Sequence, residues 1–284
     1  DLVTTIDLPL QYATQDACVA ALERTQAKGC WAVVLEAETG NVLAMAGAPV
    51  FDPVKRTSTD GSPFSNAVVR EPYEPGSIQK TVTVAAAIEE GIVDVGTVFG
   101  AVADRIELHP GACKSDTDDI YGCYADFDEH ETRDMTVRDI FTVSSNVGII
   151  RIAQRMPADL LETYIERFGL TQPTGIDYTG ESGGLLNMAA GCSTCPLSAA
   201  IGYSLAVSPL QMAAAYGAIA NDGVWTQPRL VASIIDVDGN ETANEQETHQ
   251  VVSPETARIM RELLGGVVEA GTGGNARAPG YRVG

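Results

Sequence analysis

Ser77-Ile78-Gln79-Lys80 sets a hydroxyl and an amine three residues apart, just ahead of the apolar run Thr81-Val82-Thr83-Val84-Ala85-Ala86-Ala87-Ile88. At the start of a helix this spacing puts both side chains on one face, one turn apart. A lysine so placed can take the serine's proton if burial or a neighbouring charge leaves the amine neutral part of the time. The chemistry would be nucleophilic attack by Ser77 with Lys80 as base. Tyr73-Glu74-Pro75-Gly76 comes first, and Pro75-Gly76 cannot continue a helix upstream, so Ser77 is expected at the N-terminus. There, unpaired backbone N–H groups and the positive dipole end can stabilise a developing oxyanion. Taken alone, S-x-x-K is common, and a Ser cap followed by an exposed Lys is its usual meaning. A second element changes the weighting: Ser144-Ser145-Asn146, inside Phe141-Thr142-Val143-Ser144-Ser145-Asn146-Val147-Gly148.

Several elements must position these residues. A strand over 2–6 leads into a helix over 9–26, with Leu10, Ala13, Ala17, Ala21 and Leu22 as its expected apolar face. A hairpin pairs 31–37 with 41–46 through Glu38-Thr39-Gly40. Residues 47–72, with Pro49, Pro53, Gly61, Pro63 and Pro72, read as loop. The Ser77 helix runs to about Glu90, where Gly91 closes it. Thr136-Val137-Arg138-Asp139 resembles a capping box, with Asp139 in the place of the usual Glu or Gln. Helices follow over 146–154 and 158–168. Ser208-Pro209 and Ser253-Pro254 each pair an N-cap with a proline at the first helical position. Residues 229–236 form a strand that turns at Asp238-Gly239-Asn240. No internal repeat is present.

S-x-x-K with an S-x-N-type element belongs to a known pattern. The chain resembles the transpeptidase domain of class B penicillin-binding proteins, and among them the cell-division, septal type. Leu2-Val3-Thr4-Thr5-Ile6-Asp7 is similar to that domain's opening strand, and residues 33–45 to its first hairpin. Residues 201–213, from Ile201-Gly202-Tyr203 to Met212-Ala213, and Pro279-Gly280-Tyr281-Arg282-Val283 match later segments in the family's order. The resemblance implies an α/β (α+β) fold of the penicillin-binding protein and serine β-lactamase type. An antiparallel sheet flanked by helices would stand beside an all-helical lobe. The expected division is a mixed lobe of residues 1–50 and 209–284 and a mainly helical lobe of 51–208. The family's K-T-G motif is not found before Gly284. The chain is therefore read as part of a longer, membrane-anchored protein, its C-terminal strands missing and its own acylation expected to be poor.

The resemblance also implies roles. Ser77 attacks a peptide ending in D-Ala-D-Ala, Lys80 is the base, Ser144 relays a proton toward the leaving amine, and Asn146 holds Lys80 and the substrate backbone through its paired donor and acceptor. Substrate binding would rest on Ser77 and Asn146. Stem peptides of peptidoglycan and β-lactam antibiotics are the implied ligands, divisome proteins the implied partners, and no metal or organic cofactor is called for. The implied location is the extracytoplasmic face of the bacterial membrane, held by an N-terminal anchor. No run of this sequence reaches the roughly 18 apolar residues of a transmembrane helix.

At 284 residues and 45% hydrophobic, the chain can bury a large core. A net charge of −20 excludes nucleic acid as a partner, because phosphate binding needs clustered Lys and Arg. The six cysteines fall into three local pairs, and outside the cytoplasm such pairs read as disulfides. Cys113 and Cys123 would close an Asp- and Gly-rich loop. Cys192-Ser193-Thr194-Cys195 admits redox chemistry or half a zinc site, but with no nearby His a loop disulfide is favoured. For Cys18 and Cys30, a bond and two free thiols both stand. Asp116, Asp118, Asp119, Asp126, Asp128, Glu129 and Glu131 read as a solvated loop rather than a calcium site, because the EF-hand spacing fails. His109, His130 and His249 read as surface residues, and Trp31 and Trp225 as core or edge packing.

Two other functions compete. A β-lactamase or D,D-carboxypeptidase-type hydrolase would share Ser77 and Lys80, yet a β-lactamase also needs a Glu for its deacylating water. Glu181-Ser182-Gly183-Gly184-Leu185-Leu186-Asn187 has the wrong spacing and is closer to a turn of penicillin-binding proteins. A non-catalytic penicillin sensor or divisome scaffold would keep the fold without the chemistry, and the intact motif residues speak against it.

Overall fold

The computed structural model describes residues 1–50, 66–114, 122–188 and 192–284. Helix and antiparallel strand are mixed, as the family resemblance implied. By contact, the chain divides into two compact units, one of residues 1–73, 168–185 and 206–251, the other of 74–167, 186–205 and 252–284.

The first unit is built on strands. Val231–Ile235 lies between Leu2–Thr4 and Glu241–Ala243, antiparallel to both, with Leu2 opposite Ile234 and Ser233 opposite Ala243. The hairpin Cys30–Leu35/Val42–Ala48 alternates as a half-buried strand must, with Val42, Ala44, Ala46 and Ala48 inward. Val42 packs with Val68, Val69, Ile176 and Leu210. Val68 and Val69 belong to a helical turn, Ala67–Arg70, capped by the Asn66 side chain, where the sequence suggested loop. The rest of that loop, 51–65, lies outside the described residues.

Helix Leu8–Thr25 starts at its Asp7 cap, and of its expected face Leu10, Ala21 and Leu22 are half-buried while the middle differs. Ala13 and Ala17 are exposed, while Gln11, Thr14, Gln15 and Cys18 turn inward. The reason is the open edge of strand Val42–Ala48. Gln11 donates to the Met45 carbonyl (3.0 Å) and accepts from the Met45 N–H (2.8 Å), and Gln15 donates to the Gly47 carbonyl (2.7 Å). Unpaired strand groups must find partners, and here that demand outweighs the burial of a few alanine methyls. The same face brings Cys18 Sγ within 2.7 Å of Cys30 Sγ, although the two remain free thiols in this structure.

The second unit surrounds helix Lys80–Glu89, against which Asn146–Ala153, Leu160–Arg167 and Pro254–Ala270 pack. The last of these buries Thr256, Ala257, Met260 and Leu263, one stripe at helical spacing. That stripe explains why 252–284 groups here rather than with the strands, where the expected lobes put it. The Glu89 carboxylate accepts from Ser253 N–H (3.0 Å) and Oγ (2.8 Å), tying the two helices end to end. The unit is not all-helical. Val98–Val102 pairs with Arg133–Thr136 and Arg105–Glu107 with Cys123–Ala125, both antiparallel, and the last of these strands lies within the acidic stretch expected to be loop. Disulfides join Cys113 to Cys123 and Cys192 to Cys195. Among the described residues no helix is long and apolar enough to cross a membrane, and no cluster of His, Cys, Asp and Glu could hold a metal ion.

Candidate active site

All four candidate residues fall in the second unit. Gly76–Gln79 forms a 3₁₀ turn that runs directly into helix Lys80–Glu89, and the Lys80 N–H bonds back to the Ser77 carbonyl. In a 3₁₀ turn residues three apart eclipse, so Ser77 and Lys80 share a face even more closely than in an α-helix. Ser77 is exposed, whereas Lys80 is 3% exposed. The turn is pinned by Gly202, whose carbonyl accepts from Gly76 N–H (3.1 Å). A Cβ on Gly202 would come within 2.0 Å of the Gly76 backbone, and both glycines have left-handed φ (+86° and +59°). Only glycine allows that approach.

The Lys80 amine reaches the second motif. Its Nζ donates to the Ser144 carbonyl (2.6 Å) and lies 3.0 Å from Ser144 Oγ. Ser144 has φ +57°, a conformation that costs a non-glycine residue energy, and there its carbonyl and hydroxyl both face one amine. Burial pushes the Lys80 amine down from 10.5 to about 8, with the negative charge of Asp126 working in the opposite direction. A group with that value is neutral about one-tenth of the time at pH 7. Such an amine can act as a base, which an exposed lysine cannot.

Asn146 opens helix Asn146–Ala153, and its side-chain N–H donates to the Ala125 carbonyl (2.7 Å) rather than to Lys80. The amide is thus aimed by strand Cys123–Ala125. Ser145 caps the same helix through Gly148 N–H (2.9 Å) and donates to Asp126 (2.7 Å). Asp126 also accepts from Val147 N–H (2.9 Å) and lies 3.0 Å from His130 Nε2. With its side chain 6% exposed, Asp126 is no part of a solvated acidic surface, and His130, held by Asp126 and the Glu131 carbonyl, is no free surface histidine. Asp116, Asp118 and Asp119 lie outside the described residues. Sequence reasoning gave no role to Gly202 or Asp126, because both lie far along the chain from the residues they support. A reachable signal was the Gly202 position beside Ile201 and Tyr203, a segment already matched to the family. Glu181, the one carboxylate weighed for a hydrolytic water, accepts from Thr174 N–H (2.8 Å) and Oγ1 (2.7 Å) and from Gly175 N–H (3.1 Å). It belongs to a turn of the first unit and is occupied there.

A family model for the penicillin-binding protein transpeptidase domain matches residues 30–284. The chain belongs to this family. Among curated relatives of this transpeptidase family, the penicillin-binding protein PbpB of Mycolicibacterium smegmatis is 36% identical over 98% of the chain. A probable peptidoglycan D,D-transpeptidase, PbpC of Pseudomonas aeruginosa, is 30% identical over the whole chain. The chain spans 43% and 46% of those two proteins' lengths. Among solved structures, penicillin-binding protein 3 of Mycobacterium tuberculosis, complexed with aztreonam, superposes with a TM-score of 0.85 at 33% identity. That match covers all of this chain and 60% of the other.

Proposed function

We propose that the protein is a serine D,D-transpeptidase that cross-links peptidoglycan stem peptides. The observation that carries this reading is a buried amine, lowered to about 8, one 3₁₀ turn from an exposed serine and held by both oxygens of Ser144. Neutral Lys80 takes the Ser77 proton as Oγ adds to the carbonyl of the penultimate D-Ala. Backbone N–H groups at the turn carry the oxyanion charge. The Oγ–C bond forms and the C–N bond breaks. Ser144, already bonded to the amine, passes the proton to the departing D-Ala nitrogen. The amine of a second stem peptide then attacks the ester, re-forming an amide and returning the proton to Ser77. Asn146, aimed by Ala125, presents its amide oxygen to the substrate backbone.

The same geometry makes Ser77 the residue that a β-lactam would acylate, and supporting this, the M. tuberculosis relative was solved with aztreonam. The septal role rests on the motif flavour of Tyr73-Glu74-Pro75-Gly76 and Ile201-Gly202-Tyr203, while the divisome partners and an anchor that sets the domain on the extracytoplasmic face are what kinship with this family implies. No cofactor enters any step. The test is intact-mass analysis of the full-length protein after labelled penicillin. One adduct that maps to Ser77 and is lost in Ser77→Ala is expected. No adduct would leave only the scaffold reading, and continuous turnover of the label would favour the hydrolase.

A further inference from the structure

We propose that Asp126, carried on the disulfide-closed hairpin Arg105–Glu107/Cys123–Ala125, is a positioning residue that holds the second motif against the Lys80 amine. Its two carboxylate oxygens are both in use: Oδ2 takes the Ser145 hydroxyl and Oδ1 takes Val147 N–H, the residues on either side of Asn146. The residue before it, Ala125, takes the Asn146 side chain. Ser145, Asn146 and Val147, the residues that follow Ser144, are thus fixed by one upstream segment locked by Cys113–Cys123. Tyr124, between these, bonds Ser198 Oγ. A carboxylate used only to cap a helix would sit at the surface. This one is nearly buried, and its charge acts on Lys80.

The groups around this pair are few. His130 lies against Asp126 and is raised from 6.5, chiefly by its bonds to the Glu131 carbonyl and to Asp126, with Arg133 opposing. On the other helices packed against the Lys80 helix, three arginines have partners elsewhere. Arg151 donates to the Gly100 carbonyl, Arg167 lies over the Tyr164 ring, and Arg258 pairs with Glu255 and Glu262. Asp126 favours the ammonium form of Lys80, so it sets the pH at which the base becomes available.

This rests on the transpeptidase reading, and the experiment separates the two. Acylation of the full-length protein by a labelled penicillin is followed from pH 6 to 10 in wild type, Asp126→Asn, Asp126→Glu and His130→Gln. Asp126→Asn should slow acylation about tenfold, the loss of one hydrogen bond to a charged group, and move the acid limb to lower pH. Asp126→Glu keeps the charge and should keep the limb. His130→Gln keeps a donor beside the carboxylate and leaves its charge in place, so it should keep the limb. The Asp126→Glu arm stands even if Asp126→Asn does not fold. A limb that moves in Asp126→Glu, or a uniform loss of rate in Asp126→Asn with no displacement, overturns the proposal. Wild type that takes no label overturns the transpeptidase reading instead.

Discussion

Two helices of similar amphipathic promise ended in opposite environments. Leu8–Thr25 lies on the outside of the first unit and fully buries Cys18 alone, whereas Lys80–Glu89 buries eight of its ten residues. The outer helix is held by polar side chains that complete the open edge of a strand. The inner one is held by other helices on several faces. Desolvation is therefore available to one and not to the other, and only a desolvated lysine becomes a base near neutral pH. The chemistry follows the packing as much as the motif.

The largest effect expected is on the inner helix. Lys80→Met fills a similar volume and removes the one fully buried charge of that helix, so the fold should persist. Acylation of Ser77 by a labelled penicillin should nevertheless fall by about a thousandfold, the range of a lost general base. A fall of less than tenfold would detach the buried amine from the reaction. On the outer helix, closure of Cys18 to Cys30 by a dithiol–disulfide oxidoreductase would forfeit two thiol protons and two electrons to that oxidant. It would tie helix to hairpin and add about 3 kcal/mol. Thiol counting on the unreduced, denatured protein should then find none free. Two free thiols would show that the pair stays open. Burial, with the neighbouring Cys30, pushes the Cys18 thiol up to about 12, so it stays protonated at neutral pH.

The smallest effects divide the outer helix by face. Gln15→Ala removes the bond to the Gly47 carbonyl and should cost about 1 kcal/mol in denaturant melts. Ala17→Glu, on the exposed face, should stay within about 0.5 kcal/mol. The reverse ranking would restore the alanine face that the sequence suggested.

That misplaced face shows where sequence reading ends. Caps are local chemistry, so Thr136 with Asp139, Ser208 with Pro209, and Ser253 with Pro254 were all legible, whereas the box that Gln211 closes on Ser208 was not read. The meeting of the two candidate motifs was legible because the spacing within each is itself the geometry. Helix Leu8–Thr25 was legible as a helix but its buried face was not, because alanine methyls gain little from burial and the demand of a strand edge distant in the chain does not show in a local pattern. Asp126 was read as one more acidic residue in a charged run. Only the fold brings it beneath Ser145 and Val147, where its charge is useful. Gly202 likewise looked like an ordinary glycine until the Gly76 backbone was set against it.

The central claim is that burial makes Lys80 the base for Ser77. Its most direct test is the pH dependence of Ser77 acylation in the full-length protein, with labelled penicillin in excess. The account predicts a rate that rises with pH through a midpoint near 8, as the ammonium loses its proton, and a limb that disappears in Lys80→Met. A midpoint near the ordinary lysine value of 10.5, or a rate flat from pH 6 to 10, would contradict it.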